Sequence, residues 1–203
     1  MAAHSNVPAI IRPLARYVDF SGRSTRPEFW LFLLLNYLVI GAAVAAIVAG
    51  SMAGGHIDLD KLMITYMRFG PLLSVFNLAV LLPNIAVRVR RLHDIGRSGW
   101  WVTFPYGVAM VAYIVFLVVD GPVLFQTMLD IAKKMQAASD PAALTPMAML
   151  RLEVPLWQLM VPWVFIPTWI AELLTWVAFA WPGTKGTNVF GPNPKLGAST
   201  EVF

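Results

Sequence analysis

The chain has 203 residues, of which 58% are hydrophobic and 13% charged, with a mean hydropathy of +0.67 and a formal net charge of +4. Soluble domains run nearer half apolar and a quarter charged, so a single membrane domain over 1–203 is expected, with no separate soluble domain. The basic residues flank apolar runs, which argues against nucleic acid as a partner and for the lipid bilayer and its anionic headgroups; the lack of cysteine excludes disulfides, thiol catalysis and iron–sulfur clusters.

Residues 1–28 are polar, with Arg12, Arg16, Arg23 and Arg26 set against Asp19 and Glu28. The arginines are too spread for a signal-peptide n-region, and the apolar run that follows is too long for an h-region. A short surface helix is expected near 10–18. Thr25 and Glu28 have capping-box spacing, and Pro27 between them suits a first helical turn. The first span is then expected over 29–49. Asn36 is its strongly polar residue and should face protein rather than lipid. Gly41, Ala45 and Ala49 recur at the four-residue spacing that lets two helices approach in lipid.

A mixed loop follows, and the second span is expected over 69–87. It carries Asn77 and the pair Pro83-Asn84, where loss of one backbone bond predicts a kink. Arg88, Arg90 and Arg91 continue the helix out of the lipid, and Gly96 and Gly99 allow the turn. Trp100 and Trp101 are interfacial anchors at the start of the third span, 100–119. In the next loop Phe125, Met128, Leu129, Ala132 and Met135 share one helical face, which predicts an amphipathic surface helix. Asp140-Pro141 and Thr145-Pro146 each predict a short helical turn. The fourth span is expected over 156–180. Trp157 and Trp181 lie about 36 Å apart along it, at 1.5 Å per residue, which matches the two interfaces of a bilayer. Pro162 and Pro167 predict kinks, and Glu172 lies within the span. Residues 181–203 are rich in Gly, Pro and Asn and are expected to be loop-like. The fold class is therefore an all-α membrane protein, with four transmembrane helices in a small bundle and an amphipathic surface helix in the second outer loop.

Counting Lys and Arg fixes an expected orientation. With both termini cytoplasmic, the inner segments hold ten: Arg12, Arg16, Arg23, Arg26, Arg88, Arg90, Arg91, Arg97, Lys185 and Lys195. The outer loops hold five: Lys61, Arg68, Lys133, Lys134 and Arg151. Short cytoplasmic loops carry such an excess.

Three blocks read together: Y-V-D-F-S-G-R-S-T-R-P-E-F-W at 17–30, V-R-V-R-R-L-H-D-I-G-R-S-G-W-W at 87–101, and P-G-T-K-G-T-N-V-F-G-P-N-P at 182–194. Together they resemble the domain of unknown function 805 family of bacterial inner-membrane proteins. The resemblance implies a small four-helix protein of the inner (plasma) membrane. Two positions depart from the usual pattern, Pro27 and the pair Val189-Phe190, and the loop 120–154 is longer than typical.

All three blocks fall on the expected cytoplasmic face. The residues weighed there as a binding face are Arg23, Arg26, Glu28, Arg88, Arg90, Arg91, His93, Asp94, Arg97 and Trp100. Guanidinium forks suit phosphate and carboxylate, and Asp94 is expected to pair with an arginine of the hairpin or of the block 22–26. The plainer alternative is a set of interfacial anchors and turns. His93-Asp94 raises acid–base chemistry, but adjacent helical residues diverge. No catalytic residue, metal site or cofactor is therefore assigned. Asn36, Asn77, Asn84 and Glu172 form an intramembrane polar set, with Glu172 expected to find a partner among the asparagines or at Arg88. The leading functional reading is a non-enzymatic module that binds a membrane protein partner, a second copy of the chain, or anionic lipid headgroups. A small transporter or channel using Glu172 and the asparagines, and an enzyme using His93 and Asp94, are the alternatives.

Overall fold

The computed structural model describes residues 7–53, 55–137 and 156–195, so the turns expected after Asp140 and Thr145 lie outside the described residues. Four of its helices are long and apolar enough to cross a membrane. The elements are α1 (Arg12–Ala15), α2 (Arg26–Gly50), α3 (Leu59–Asp94), α4 (Phe104–Ala137) and α5 (Leu156–Ala180). A two-stranded antiparallel hairpin, β1 (Met52–Ala53) with β2 (His56–Ile57), joins α2 to α3. The chain divides into two compact units, Met1–Val102 with Val177–Phe203, and Thr103–Trp176.

In the first unit α2 packs on α3. The Thr25 side chain accepts the Glu28 N–H at 3.4 Å, as an N-cap should. Glu28 itself does not complete the capping box; its carboxylate turns to arginines instead. Phe29, Phe32 and Leu33 on α2 and Ala86, Val87 and Leu92 on α3 are buried. The opposite faces remain apolar and exposed, for example Leu34, Leu38, Leu72, Val75 and Leu78, as for helices whose outer solvent is lipid. Gly41, Ala45 and Ala49 are on that exposed side, and a Cβ at Gly41 would meet nothing within 4 Å.

α3 begins at Leu59 rather than residue 69, because Asp58 caps it by accepting the Lys61 N–H at 3.1 Å. That backbone N–H, the largest cause, holds the Asp58 carboxyl below its ordinary value. The helix runs through Pro71 and Pro83 to Asp94. It ends on two bonds, Gly96 N–H to the His93 carbonyl at 3.0 Å and Arg97 N–H to the Leu92 carbonyl at 2.9 Å. This is the Schellman pattern, and it needs the left-handed residue that Gly96 supplies at φ 77°.

A 3₁₀ turn over Gly99–Thr103 leads from the first unit into α4 of the second. The loop expected from residue 120 is absent there, and the amphipathic segment 125–135 is the continuation of the third span. Pro122 deletes one N–H only, and the helix-forming residues beyond it carry the ladder on. Ala112 and Phe116 on α4 and Ala171 on α5 are buried. In α5 the expected proline kinks take the form of a π-helical turn over Val161–Phe165, closed by Ile166 N–H to the Val161 carbonyl. Pro167 follows directly, and its ring clashes with the carbonyl four residues back unless the turn widens. An apolar cavity of about 670 Å³ lies between this turn and α4, lined by residues such as Phe104, Val111, Trp163 and Pro167.

Candidate functional site

The three sequence blocks meet at one end of the first unit, around two carboxylates. Asp94, in the last turn of α3, is 4% exposed. Arg23 reaches it from the N-terminal block, with Nε at 2.9 Å and a second nitrogen at 2.8 Å, both on Oδ1. Arg91, one turn back on α3, donates to Oδ2. Asp94 thus binds an arginine of the hairpin and one of the block 22–26 at once.

Main-chain carbonyls fill both guanidiniums, those of the C-terminal block for Arg23 and those at the end of α5 for Arg91. Arg23 donates to Gly186 O at 2.7 Å and to Thr184 O at 2.7 Å. Arg91 donates to Phe179 O at 2.8 Å and to Trp181 O. The backbone responds in kind, with Thr184 N–H donating to the Asp94 carbonyl at 2.8 Å. Asn188 donates to the His93 carbonyl at 2.9 Å. Gly183 lies against Asp94, where any Cβ would overlap the carboxylate.

Glu28 is the second centre and is 2% exposed. Arg90 donates to its Oε1 at 3.4 Å, and Arg12 stands 3.8 Å from Oε2. Arg90 also donates to the carbonyls of Arg16 and Asp19, and its own carbonyl accepts the Ser24 N–H at 3.1 Å. Arg90 and Arg91 are both fully buried. A buried charge is tolerated only when it is paired and its donors are satisfied, which these contacts largely achieve. They hold three distant pieces of chain in one arrangement.

The remaining members of the sequence-derived set are placed differently. His93 stacks on Phe190, with ring centroids 4.0 Å apart and planes 3° apart. Its Nδ1 is 3.0 Å from the Gly22 carbonyl, so that nitrogen carries a proton. His93 and Asp94 therefore face different partners. Arg97 and Trp100 are exposed, Trp100 at 78%. Arg26 and Arg88 are half-buried.

In the spans, Asn36 is buried and donates to the Phe32 carbonyl at 2.7 Å. Asn84 is half-buried and donates to the Val80 carbonyl at 2.8 Å. Asn77, though exposed, donates to the Leu73 carbonyl at 2.8 Å. Each asparagine thus bonds the carbonyl four residues back in its own helix. Glu172 is half-buried on α5.

Residues outside the sequence-derived set complete the cluster. Arg12, Thr184, Asn188 and Phe190 act through main-chain carbonyls or a ring face, which no spacing rule reveals. For Thr184, Asn188 and Phe190 the C-terminal block 182–194 was the one signal, and Arg12 lies outside all three blocks. Tyr17 was also unmarked, and its hydroxyl donates to the Ala79 carbonyl inside α3.

Four helices long and apolar enough to cross a membrane, with a buried arginine–carboxylate cluster joining the N- and C-terminal blocks to the turn after α3, define a multi-helix membrane protein. The chain belongs to the family described as Protein of unknown function (DUF805), whose model matches residues 17–192. It is 31% identical to Inner membrane protein YhaH of Escherichia coli over 111 residues, covering 53% of this chain and 79% of that protein. It is 36% identical to Inner membrane protein YhaI of the same organism over 105 residues, covering 52% of this chain and 75% of that protein. No solved structure matches.

Proposed function

We propose that the protein is a non-enzymatic module of the bacterial inner membrane that binds an anionic lipid headgroup at its arginine-rich, cytoplasmic end. Arg26 carries this reading. Five arginines, Arg12, Arg16, Arg23, Arg90 and Arg91, share the three carboxylates Asp19, Glu28 and Asp94. Among the described residues Arg26 takes none, and its buried Nε has no hydrogen-bond partner. It stands close enough to Arg91 to repel it. It is also the first residue of α2, where the helix dipole disfavours a cation by about 0.3–1 kcal/mol. An anion beside Arg26 relieves both terms, and a phosphate oxygen fits a guanidinium edge. The exposed Arg97, Lys185 and Lys195 add a positive surround, each worth about 1 kcal/mol toward an anionic leaflet.

The test is lipid retention. The chain is extracted from membranes, and native mass spectrometry measures the phosphatidylglycerol that stays bound. Wild type is expected to retain phosphatidylglycerol over phosphatidylcholine, and Arg26→Ala to lose that preference. An unchanged preference in Arg26→Ala rejects the headgroup reading. Co-purification of a stoichiometric protein released by the same substitution replaces it with the partner reading.

A further inference from the structure

The segment around α1 is built inside out for a water-facing helix. Ile11, Leu14 and Val18, at three- and four-residue steps, are 42%, 42% and 62% exposed. The polar residues between them turn inward. Arg12 donates to the Val7 carbonyl at 2.9 Å and approaches Glu28. Arg16 binds Asp19 at 2.7 Å and the Ser21 carbonyl at 2.9 Å. Pro13 is buried, and α1 packs against both α2 and α3. Neither arginine takes the outer face, where water would favour it.

A second observation gives the depth of this segment. The Tyr17 hydroxyl donates to the carbonyl of Ala79. Ala79 is four residues before Pro83, so its carbonyl is the one whose helical partner Pro83 removes. Within a bilayer such a carbonyl costs several kcal/mol unless another group satisfies it. Ala79 is also eleven residues from Arg90 along α3, about 16 Å at 1.5 Å per residue, in the middle of the apolar run. The tyrosine therefore reaches from the arginine cluster, where the Arg16 and Asp19 carbonyls accept from Arg90, down to the apolar part of α3.

We infer that residues 8–20 form an interfacial strap, inserted into one leaflet at the headgroup–acyl boundary, with Ile11, Leu14 and Val18 against lipid chains. The occupant is lipid because the face adjoins two spanning helices, holds apolar groups at helical steps and lies beside a carbonyl at membrane depth. The strap does not depend on the headgroup reading at Arg26, since no outward-facing charge takes part.

The absence of cysteine makes the test direct. Single spin labels are placed at Leu14→Cys and Val18→Cys, with Thr187→Cys as an aqueous reference, in vesicles of phosphatidylethanolamine and phosphatidylglycerol. Leu14, Val18 and Thr187 are all exposed, so the labels do not disturb packing. Collision rates with oxygen and with a water-soluble nickel chelate are then compared. Labels at Leu14 and Val18 are expected to favour oxygen, and the label at Thr187 the chelate. Chelate preference at all three sites overturns the strap. Spin–spin broadening at Val18 that disappears on dilution with unlabelled chain also overturns it, since a second copy would then cover the face.

Discussion

Arg91 shows what a single side chain does here that its charge alone cannot. Its Nε and two terminal nitrogens donate to three separate acceptors, Phe179 O, Asp94 and Trp181 O. A lysine ammonium is a point donor and cannot span that fork. Arg91→Lys keeps the positive charge on the hairpin, so insertion should be normal, while two charge-assisted hydrogen bonds are lost. At about 1.5–3 kcal/mol each, the expected destabilisation is roughly 3–6 kcal/mol. Thermal unfolding in detergent, monitored by tryptophan fluorescence, checks it; a melting temperature equal to wild type would return Arg91 to the role of a topology anchor. The pairing of Asp94 was legible in the sequence, because a lone acid among arginines in a short turn has few other options. The carbonyl acceptors were not, since every residue carries one. For the same reason the burial of Arg23, Arg90 and Arg91 was hidden. They read as a binding face because nothing in the sequence marks 179–191 as the segment that covers Arg23 and Arg91, or 16–28 as the one that covers Arg90.

At the scale of elements, the spans were legible from hydropathy and their ends were not. α3 and α4 overrun the expected spans because caps and helix formers extend them, whereas hydropathy records only lipid contact. α1 is the element whose role depended most on tertiary contacts. The turn that ends its segment is closed by Asp19, which accepts from Ser21 N–H at 2.9 Å and from Arg16 at 2.7 Å. Burial pushes the Asp19 carboxyl up, but the bonds from Ser21 and Arg16 win and bring it from 3.8 to about 2. A carboxyl lowered on folding stabilises the fold above its unfolded value and loses that contribution as the pH falls toward its folded value. This turn of the strap should therefore be fully closed above about pH 4 and loosen as the pH drops through about 4 to 2. The mobility of a spin label at Val18 in vesicles should stay flat from neutral pH down to about 5 and rise only below 4. A rise centred near pH 6 would assign the tie to a histidine instead.

For the whole molecule, the cluster turns two separate expectations about the termini into one. Arg23 bonds Gly186 and Thr184, and Asp94 bonds Thr184, so the N-terminal block, the hairpin and the C-terminal block lie at the same end of the first unit. An even number of crossings meets that condition, and the four apolar helices supply it. Which side of the membrane this end occupies is a matter of charge. The blocks and their flanks hold ten Lys and Arg, and the segments expected on the other side hold five. Retention of Lys and Arg on the cytoplasmic side then predicts that this end faces inward. Single cysteines at Ser98, at Met52 in the β-hairpin and at Lys133 near the C-terminal end of α4 are all exposed and can each be probed with a membrane-impermeant maleimide. Met52→Cys and Lys133→Cys should react in intact cells, and Ser98→Cys only after permeabilisation. The opposite pattern would invert the orientation while leaving the cluster intact. Reaction of Ser98→Cys and Met52→Cys from the same side would mean that α3 does not cross the bilayer, and the four-span arrangement would fall with it.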